Sequence, residues 1–92
     1  MATMWFVTLV KWKRKPTKHD TEAMTAYWTE AGKWGLKLHN AFWTLGRFDG
    51  VFVTEAPDEK TVMKFFLNTP TDLGSSETLV AVSREEAIKM VS

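Results

Sequence analysis

The sequence contains no cysteine and only two histidines, His19 and His39. The absence of cysteine excludes disulfides, iron–sulfur clusters, thiolate zinc sites and a cysteine nucleophile. Two histidines leave little for an all-histidine metal site, so we expect neither a metal nor a cofactor. A chain of 92 residues buries only about 60–65% of its unfolded surface, which leaves oligomerisation as the remaining way to reinforce the fold.

Long apolar segments are also missing. The run Met4–Val10 is too short for a secretory core, and its positive charges follow it instead of preceding it. No run approaches the roughly 20 residues of a membrane span. The length fits one domain over residues 1–92, and we expect a cytoplasmic protein without a membrane partner.

The net charge is only +1, but it is unevenly distributed. Residues 1–46 carry seven Lys/Arg against three Asp/Glu, whereas residues 47–92 carry five against eight. Much of the first excess lies in "KWKRKPTKH", between Lys11 and Lys18. This segment is either a patch for phosphate or nucleic acid or a solvated loop. Nucleic-acid-binding domains normally have a wider basic footprint, so we favour the loop and do not expect a nucleic-acid partner.

Hydrophobic spacing predicts the element order β-α-β-β-α-β-α. The four strands are expected at Met4–Trp12, Leu36–Leu45, Val51–Ala56 and Glu77–Val82. The first helix begins between Thr17 and Asp20, the second is capped by Asp58, and Ser83 caps a short third one. The apolar stripes expected to face the core are Met24, Tyr27, Trp28, Ala31 and Trp34 in the first helix, and Val62, Met63, Phe66 and Leu67 in the second. Two βαβ halves of this kind predict a ferredoxin-like α+β fold, with a four-stranded antiparallel sheet and two helices on one face.

Both faces of the predicted sheet are apolar, although two helices can cover only one. Val7 and Leu9 alternate with Phe6 and Val10 along the first strand. We expect the uncovered face to form a homodimer interface with a second copy. Its expected members are Phe6, Val10, Trp12, Trp43, Phe52, Val80 and Val82.

Three segments resemble the GYD domain family: "WTLGRFD" followed by a strand and "EAPDE", the opening "FVTLVKW", and the closing "SSETLVAVSREEA". Together they cover nearly the whole chain. The Gly-Tyr-Asp signature maps onto Gly46, Phe48 and Asp49, with Phe48 where tyrosine is usual. The resemblance implies a ferredoxin-like fold related to dimeric α/β-barrel proteins, and it implies no particular activity.

The segment "GRFDG" is either a turn or part of a site. As a turn, it uses Gly46 for a positive φ and Asp49 to bind nearby backbone amides. As a site, it places Arg47 and Asp49 at the mouth of a pocket for a small ligand. Further ligand-binding candidates on one sheet face are Thr8, His39, Trp43 and Thr54.

These candidates predict a homodimeric small-molecule-binding or regulatory protein, with its pocket between sheet faces or at the "GRFD" turn. The first alternative is a cofactor-free enzyme, resembling the monooxygenases and isomerases of the dimeric α/β-barrel type, in which His39 or Asp49 supplies a base. The second is a binder of nucleic acid or an acidic partner through Lys11–Lys18.

Overall fold

A computed structural model describes residues 3–69 and 72–91 of the chain. Its elements are β1 (Met4–Trp12), α1 (Lys18–Gly32), β2 (Lys37–Trp43), β3 (Gly50–Ala56), α2 (Glu59–Asn68), β4 (Gly74–Ala81) and α3 (Arg84–Lys89). The predicted order is confirmed. The fourth strand begins at Gly74 instead of Glu77. Gly74 pairs with Trp12, and the absence of a side chain permits this pairing, since a Cβ on Gly74 would lie 2.6 Å from the carbonyl oxygen of Lys11. Small residues that are typical of a loop therefore extend the strand.

The four strands form one antiparallel sheet in the order β2-β3-β1-β4. This is the ferredoxin-like arrangement predicted from the sequence. Side chains define the helix starts. Thr17 caps α1 in a reciprocal capping box with Asp20. Asp58 accepts from the amide of Thr61 at 2.9 Å, and Ser83 begins α3 in the same way.

The core lies between the sheet and the two long helices. Its buried members are Phe6, Ala31, Leu36, Ala56, Val62 and Phe65, and the predicted stripe of α1 packs against them. The predicted stripe of α2 is partly wrong, because Met63 and Leu67 are 61% and 77% exposed. Val62 and Phe66 of the predicted stripe do pack in the core, together with Phe65, so the buried side of this ten-residue helix is rotated away from Met63 and Leu67.

The assignment of sheet faces also differs from the prediction. Successive strand residues point to opposite faces, and the even-numbered side chains of β1 and β3 face the helices. Phe6, Val10 and Phe52 are consequently only 2%, 8% and 9% exposed within one chain. Their expected position on the uncovered face was wrong: both faces are apolar, so alternation alone did not distinguish the covered one.

A bulge in β2 causes a second difference. The pairing of β2 with β3 shifts between Leu38 and Asn40, so His39 is an extra residue in the strand. Leu38 and Trp43 pair with Thr54 and Gly50 and face the helices. His39 is instead in contact with Trp5 and Glu55 on the opposite face. The expectation that His39 and Trp43 share a face was therefore wrong.

The opposite face, which we call the open face, has no helix over it among the described residues. Its centre contains Val7, Leu9, Val51 and Val53, all only partly buried. Phe42 and Leu79, on the edge strands, are 56% and 45% exposed. The prediction that the uncovered face is apolar is confirmed, with different residues than expected.

Candidate functional site

A cavity of about 310 Å³ lies between the helix-facing side of the sheet and helices α1 and α2. The sheet contributes Val10, Trp12, Leu38, Ala41, Trp43 and Phe52. The helices contribute chiefly Met24, Trp28, Phe65 and Phe66, and the remaining lining residues are Pro16, Asp20, Thr21, Thr25, Thr69, Leu73, Gly74, Ser75 and Ser76. The cavity thus has an apolar interior and a rim of hydroxyl groups.

Aromatic rings form two groups in the cavity wall. Trp28 stacks on Phe65 with ring centroids 4.1 Å apart, and it is tilted against Phe52 at 5.5 Å. Trp12 and Trp43 meet edge to face at 5.8 Å. Trp43 is 63% exposed on the edge strand β2, so its ring lies on the solvent side of the cavity. Both groups line the cavity, so a flat molecule bound there would contact aromatic rings.

The threonine hydroxyls of the rim already donate their protons to the backbone. Thr21 Oγ1 donates to the carbonyl of Lys18 at 2.8 Å, and Thr25 Oγ1 donates to that of Thr21 at 3.0 Å. Thr69 Oγ1 donates to the carbonyl of Phe66 at 3.3 Å. Each oxygen still has a lone pair, so these three groups offer acceptors and no free donor.

Asp20 is the one ionisable side chain among the described lining residues. Its two carboxylate oxygens accept from Arg14 at 2.7 and 3.1 Å, and the amide of Thr17 donates to one of them at 2.7 Å. The Arg14 hydrogen bonds, followed by that of Thr17, hold the pKa of Asp20 well below its usual range. Arg14 also reaches Asp72 at 3.3 Å, and this clasp joins the loop after β1 to α1 and to the segment before β4.

The turn between β2 and β3 fastens the end of β1. Gly46 has φ +105°, as its role in a turn predicted. Asp49 Oδ2 accepts from the amide of Trp12 at 2.8 Å, while the Asp49 amide donates to the carbonyl of Val10 at 2.8 Å. Asp49 therefore bonds a backbone amide, as expected, but on another strand. The guanidinium of Arg47 lies 5.5 Å from the centre of the Phe48 ring.

Of the predicted ligand-binding residues, only Trp43 lines the cavity; Arg47 and Asp49 do not. Thr8 and Thr54 face the helices but are 1% and 2% exposed and lie outside the lining. The Thr8 hydroxyl is 3.0 Å from that of Thr78, whereas the Thr54 hydroxyl has no partner among the described residues.

His39 lies on the open face, where its Nε2 is 2.9 Å from Glu55 Oε1 and its ring stacks on Trp5 at 4.5 Å. The hydroxyl of Thr3, followed by His39, lowers the pKa of Glu55. The described residues include no cluster of three metal-ligating side chains, and none of their helices is long and apolar enough to cross a membrane.

Sequence reasoning missed the helical part of the cavity wall. Met24 and Trp28 were assigned to the packed core, and Phe65 was not singled out. One available signal was the presence of large rings at the ends of the two strands that flank β3. Trp12 ends β1 and Trp43 ends β2, and both rings line the cavity.

Several solved structures resemble this fold. A transcriptional regulator of Neisseria meningitidis in complex with L-Met has a TM-score of 0.61 at 15% identity, and 88% of this chain covers 51% of that one. MtbAldR has a TM-score of 0.58 at 8% identity, covering 89% of this chain and 55% of its own. For PH0061 the TM-score is 0.60 at 13% identity, with coverage of 88% and 53%. These likenesses show the fold alone, and the chain spans about half the length of each.

No curated protein matches the sequence significantly. The family model of the GYD domain matches residues 4–91, which includes every strand and helix of the structure. Gly46 and Asp49, the outer members of the signature, are the residues that shape the turn and fasten it to β1. The chain belongs to the GYD domain family.

Proposed function

We propose that this protein is a homodimeric small-molecule-binding protein with a regulatory role, and that its ligand occupies the cavity beneath the helices. The observation that carries the proposal is the cavity itself. Its volume of about 310 Å³ falls at the lower end of the roughly 300–1,000 Å³ typical of small-molecule sites. The similar fold of a transcriptional regulator crystallised with L-Met supports a regulatory role by analogy.

The open face supports the dimer. Strands of seven to nine residues at about 4.8 Å spacing and 3.3 Å per residue give a face of roughly 500 Å² in projection. Two such faces in contact would bury on the order of 1,000–1,400 Å², which approaches the size of a standard protein interface. A second copy would cover the central valines and both Phe42 and Leu79 at once.

Oligomeric state tests this part of the proposal. We expect the wild-type protein to sediment as a dimer at micromolar concentration, and Val53→Lys to sediment as a folded monomer because the lysine would be solvated in the single chain. Thr29→Lys, which adds the same charge to an exposed position of α1, is the matched control and should remain dimeric. A monomeric wild-type protein, or a dimeric Val53→Lys variant, would contradict an interface at the open face.

Ligand binding tests the other part. A thermal-shift screen of neutral and charged metabolites should identify compounds that raise Tm. Ser76→Phe places a ring in the cavity from an exposed position of β4 and should abolish the shift. Val80→Phe is the matched control, because Val80 lies on the same strand and the same face but outside the cavity lining. The proposal fails if no compound raises Tm, or if the shifts survive in Ser76→Phe.

The two alternative functions receive no support from the placement of their residues. Neither His39 nor Asp49 lines the cavity, and Asp49 uses its carboxylate to bind the Trp12 amide. In the basic loop, Arg14 is paired with Asp20 and Asp72, which reduces the positive potential available to a nucleic acid.

A further inference from the structure

We propose that the cavity selects an uncharged aromatic molecule of one or two rings that carries a hydrogen-bond donor, such as an indole or a phenol. This inference rests on the proposed function, because it names the class of ligand for the same cavity. Three features of the wall lead to it: the state of the one carboxylate, the arrangement of the rings and the direction of the rim hydrogen bonds.

The wall offers no charge to a charged ligand. Both oxygens of Asp20 are occupied by Arg14, at 2.7 and 3.1 Å. A cationic ligand would have to displace this bidentate pair, and an anionic one would approach a carboxylate. The other lining residues are neutral, and transfer of an unpaired charge into such surroundings is strongly unfavourable. The cavity should therefore discriminate against both signs.

The size and shape of the cavity suit a small flat ring system. A volume of about 310 Å³ corresponds to roughly ten water molecules at about 30 Å³ each, which is the scale of a one- or two-ring compound. Trp28, Phe52, Trp12 and Trp43 all line the cavity and provide ring contacts. Aromatic pairs of this kind add to the gain from simple burial.

The three threonines of the rim favour a donor on the ligand, whereas the hydroxyls of Ser75 and Ser76 can donate as well as accept. The hydroxyl protons of Thr21, Thr25 and Thr69 are directed to helix carbonyls. Their oxygens can accept an N–H or O–H from the ligand without losing those bonds. A ligand with only acceptors would have no partner among these three side chains.

Four probes that share the indole ring system separate these contributions: indole, 1-methylindole without the donor, indole-3-acetate with a negative charge and tryptamine with a positive charge. Isothermal titration calorimetry of the full chain should give the tightest binding for indole. The missing hydrogen bond should weaken 1-methylindole about threefold to tenfold. Both charged probes should bind at least about tenfold more weakly than indole.

The variants Ser76→Phe and Val80→Phe locate the binding. Indole should lose its affinity for the first and keep it for the second. Ala41→Phe, at another exposed lining position, replaces Ser76→Phe if that variant does not fold. Binding that persists in a folded cavity-filled variant would place the ligand elsewhere and overturn both proposals.

The remaining outcomes distinguish the ligand class from the function. If a charged probe equals or exceeds indole and Ser76→Phe removes its binding, the ligand class is wrong and the small-molecule function stands. The ligand class is also wrong, and the function stands, if 1-methylindole binds as tightly as indole. The same conclusion follows if all four probes fail to bind while the screen yields a ligand whose binding Ser76→Phe abolishes. If neither the probes nor the screen yields a ligand, both proposals fail.

Discussion

Substitution of Asp49 by alanine tests whether the signature turn is structural. The Asp49 carboxylate accepts from the Trp12 amide at 2.8 Å in a partly buried position, and it joins residues 37 positions apart in the sequence. A hydrogen bond to a charged group contributes about 1.5–3 kcal/mol. Water can reach part of the released amide, so we expect a loss of about 1.5 kcal/mol. For a chain of this size, that loss lowers Tm by roughly 6–12 °C.

Thermal and urea unfolding followed by circular dichroism would measure the loss. Asp49→Asn keeps an oxygen acceptor and should cost less, about 0.5–1 kcal/mol. Arg47→Ala is the control in the same turn. Its guanidinium contacts the Phe48 ring at the surface, so its effect should stay within about 0.5 kcal/mol. A Tm for Asp49→Ala equal to that of Arg47→Ala would refute the structural role.

Binding measurements separate a structural Asp49 from one that contacts the ligand. Asp49 fastens Trp12, and Trp12 lines the cavity. Ligand affinity should therefore fall with stability, more in Asp49→Ala than in Asp49→Asn. If Asp49→Asn keeps the wild-type Tm but loses the ligand completely, Asp49 belongs to the site, as the sequence alternative proposed.

Three other predictions concern the buried threonines and the clasp. Thr54→Val should raise the unfolding free energy by about 0.5–1 kcal/mol, because the Thr54 hydroxyl has no partner among the described residues, and an unchanged or lowered Tm would oppose this. Thr8→Val should lower it by about 1 kcal/mol through loss of the contact with Thr78, and equal Tm values for the two valine variants would show that the contact contributes nothing. The pKa of Asp20 is lower in the folded protein than its ordinary value of 3.8, so stability from its pairing with Arg14 is present above that pH and is lost as the pH falls below it. Urea titrations from pH 6 to pH 2 (roughly the range over which carboxylates titrate) should show a shallower acid loss in Asp20→Asn than in wild type, and parallel curves would contradict the assignment.

The element order could be predicted because each element carries its own local signal. The bounds of β1 were predicted without error, since Met4–Trp12 is a β-branched and aromatic run that a charged loop ends. Asp58 and Ser83 identify helix starts by side-chain chemistry alone. Local signals of this kind act within a few residues and do not depend on the rest of the fold.

The faces of the sheet could not be predicted, because that choice depends on contacts between distant elements. Period-two alternation separates Phe6 and Val10 from Val7 and Leu9, but it does not specify which pair the helices cover. The residue pattern does not indicate the bulge at His39 either. The bulge adds one residue to β2, so residues before and after it no longer follow one alternation between the two faces. The choice of covered face placed Phe6 and Val10 wrongly at the interface, and the bulge placed His39 wrongly on the same face as Trp43.

The relation between the signature turn and the cavity follows from the contacts of the turn. Phe48, where the family usually has tyrosine, uses its backbone carbonyl to accept from the Thr44 hydroxyl at 2.7 Å and presents its ring to Arg47. A tyrosine can make both contacts, so neither depends on the missing hydroxyl. Gly46 permits the positive φ and Asp49 holds the Trp12 amide. Because Trp12 then packs edge to face on Trp43 in the cavity wall, the turn shapes the cavity without lining it.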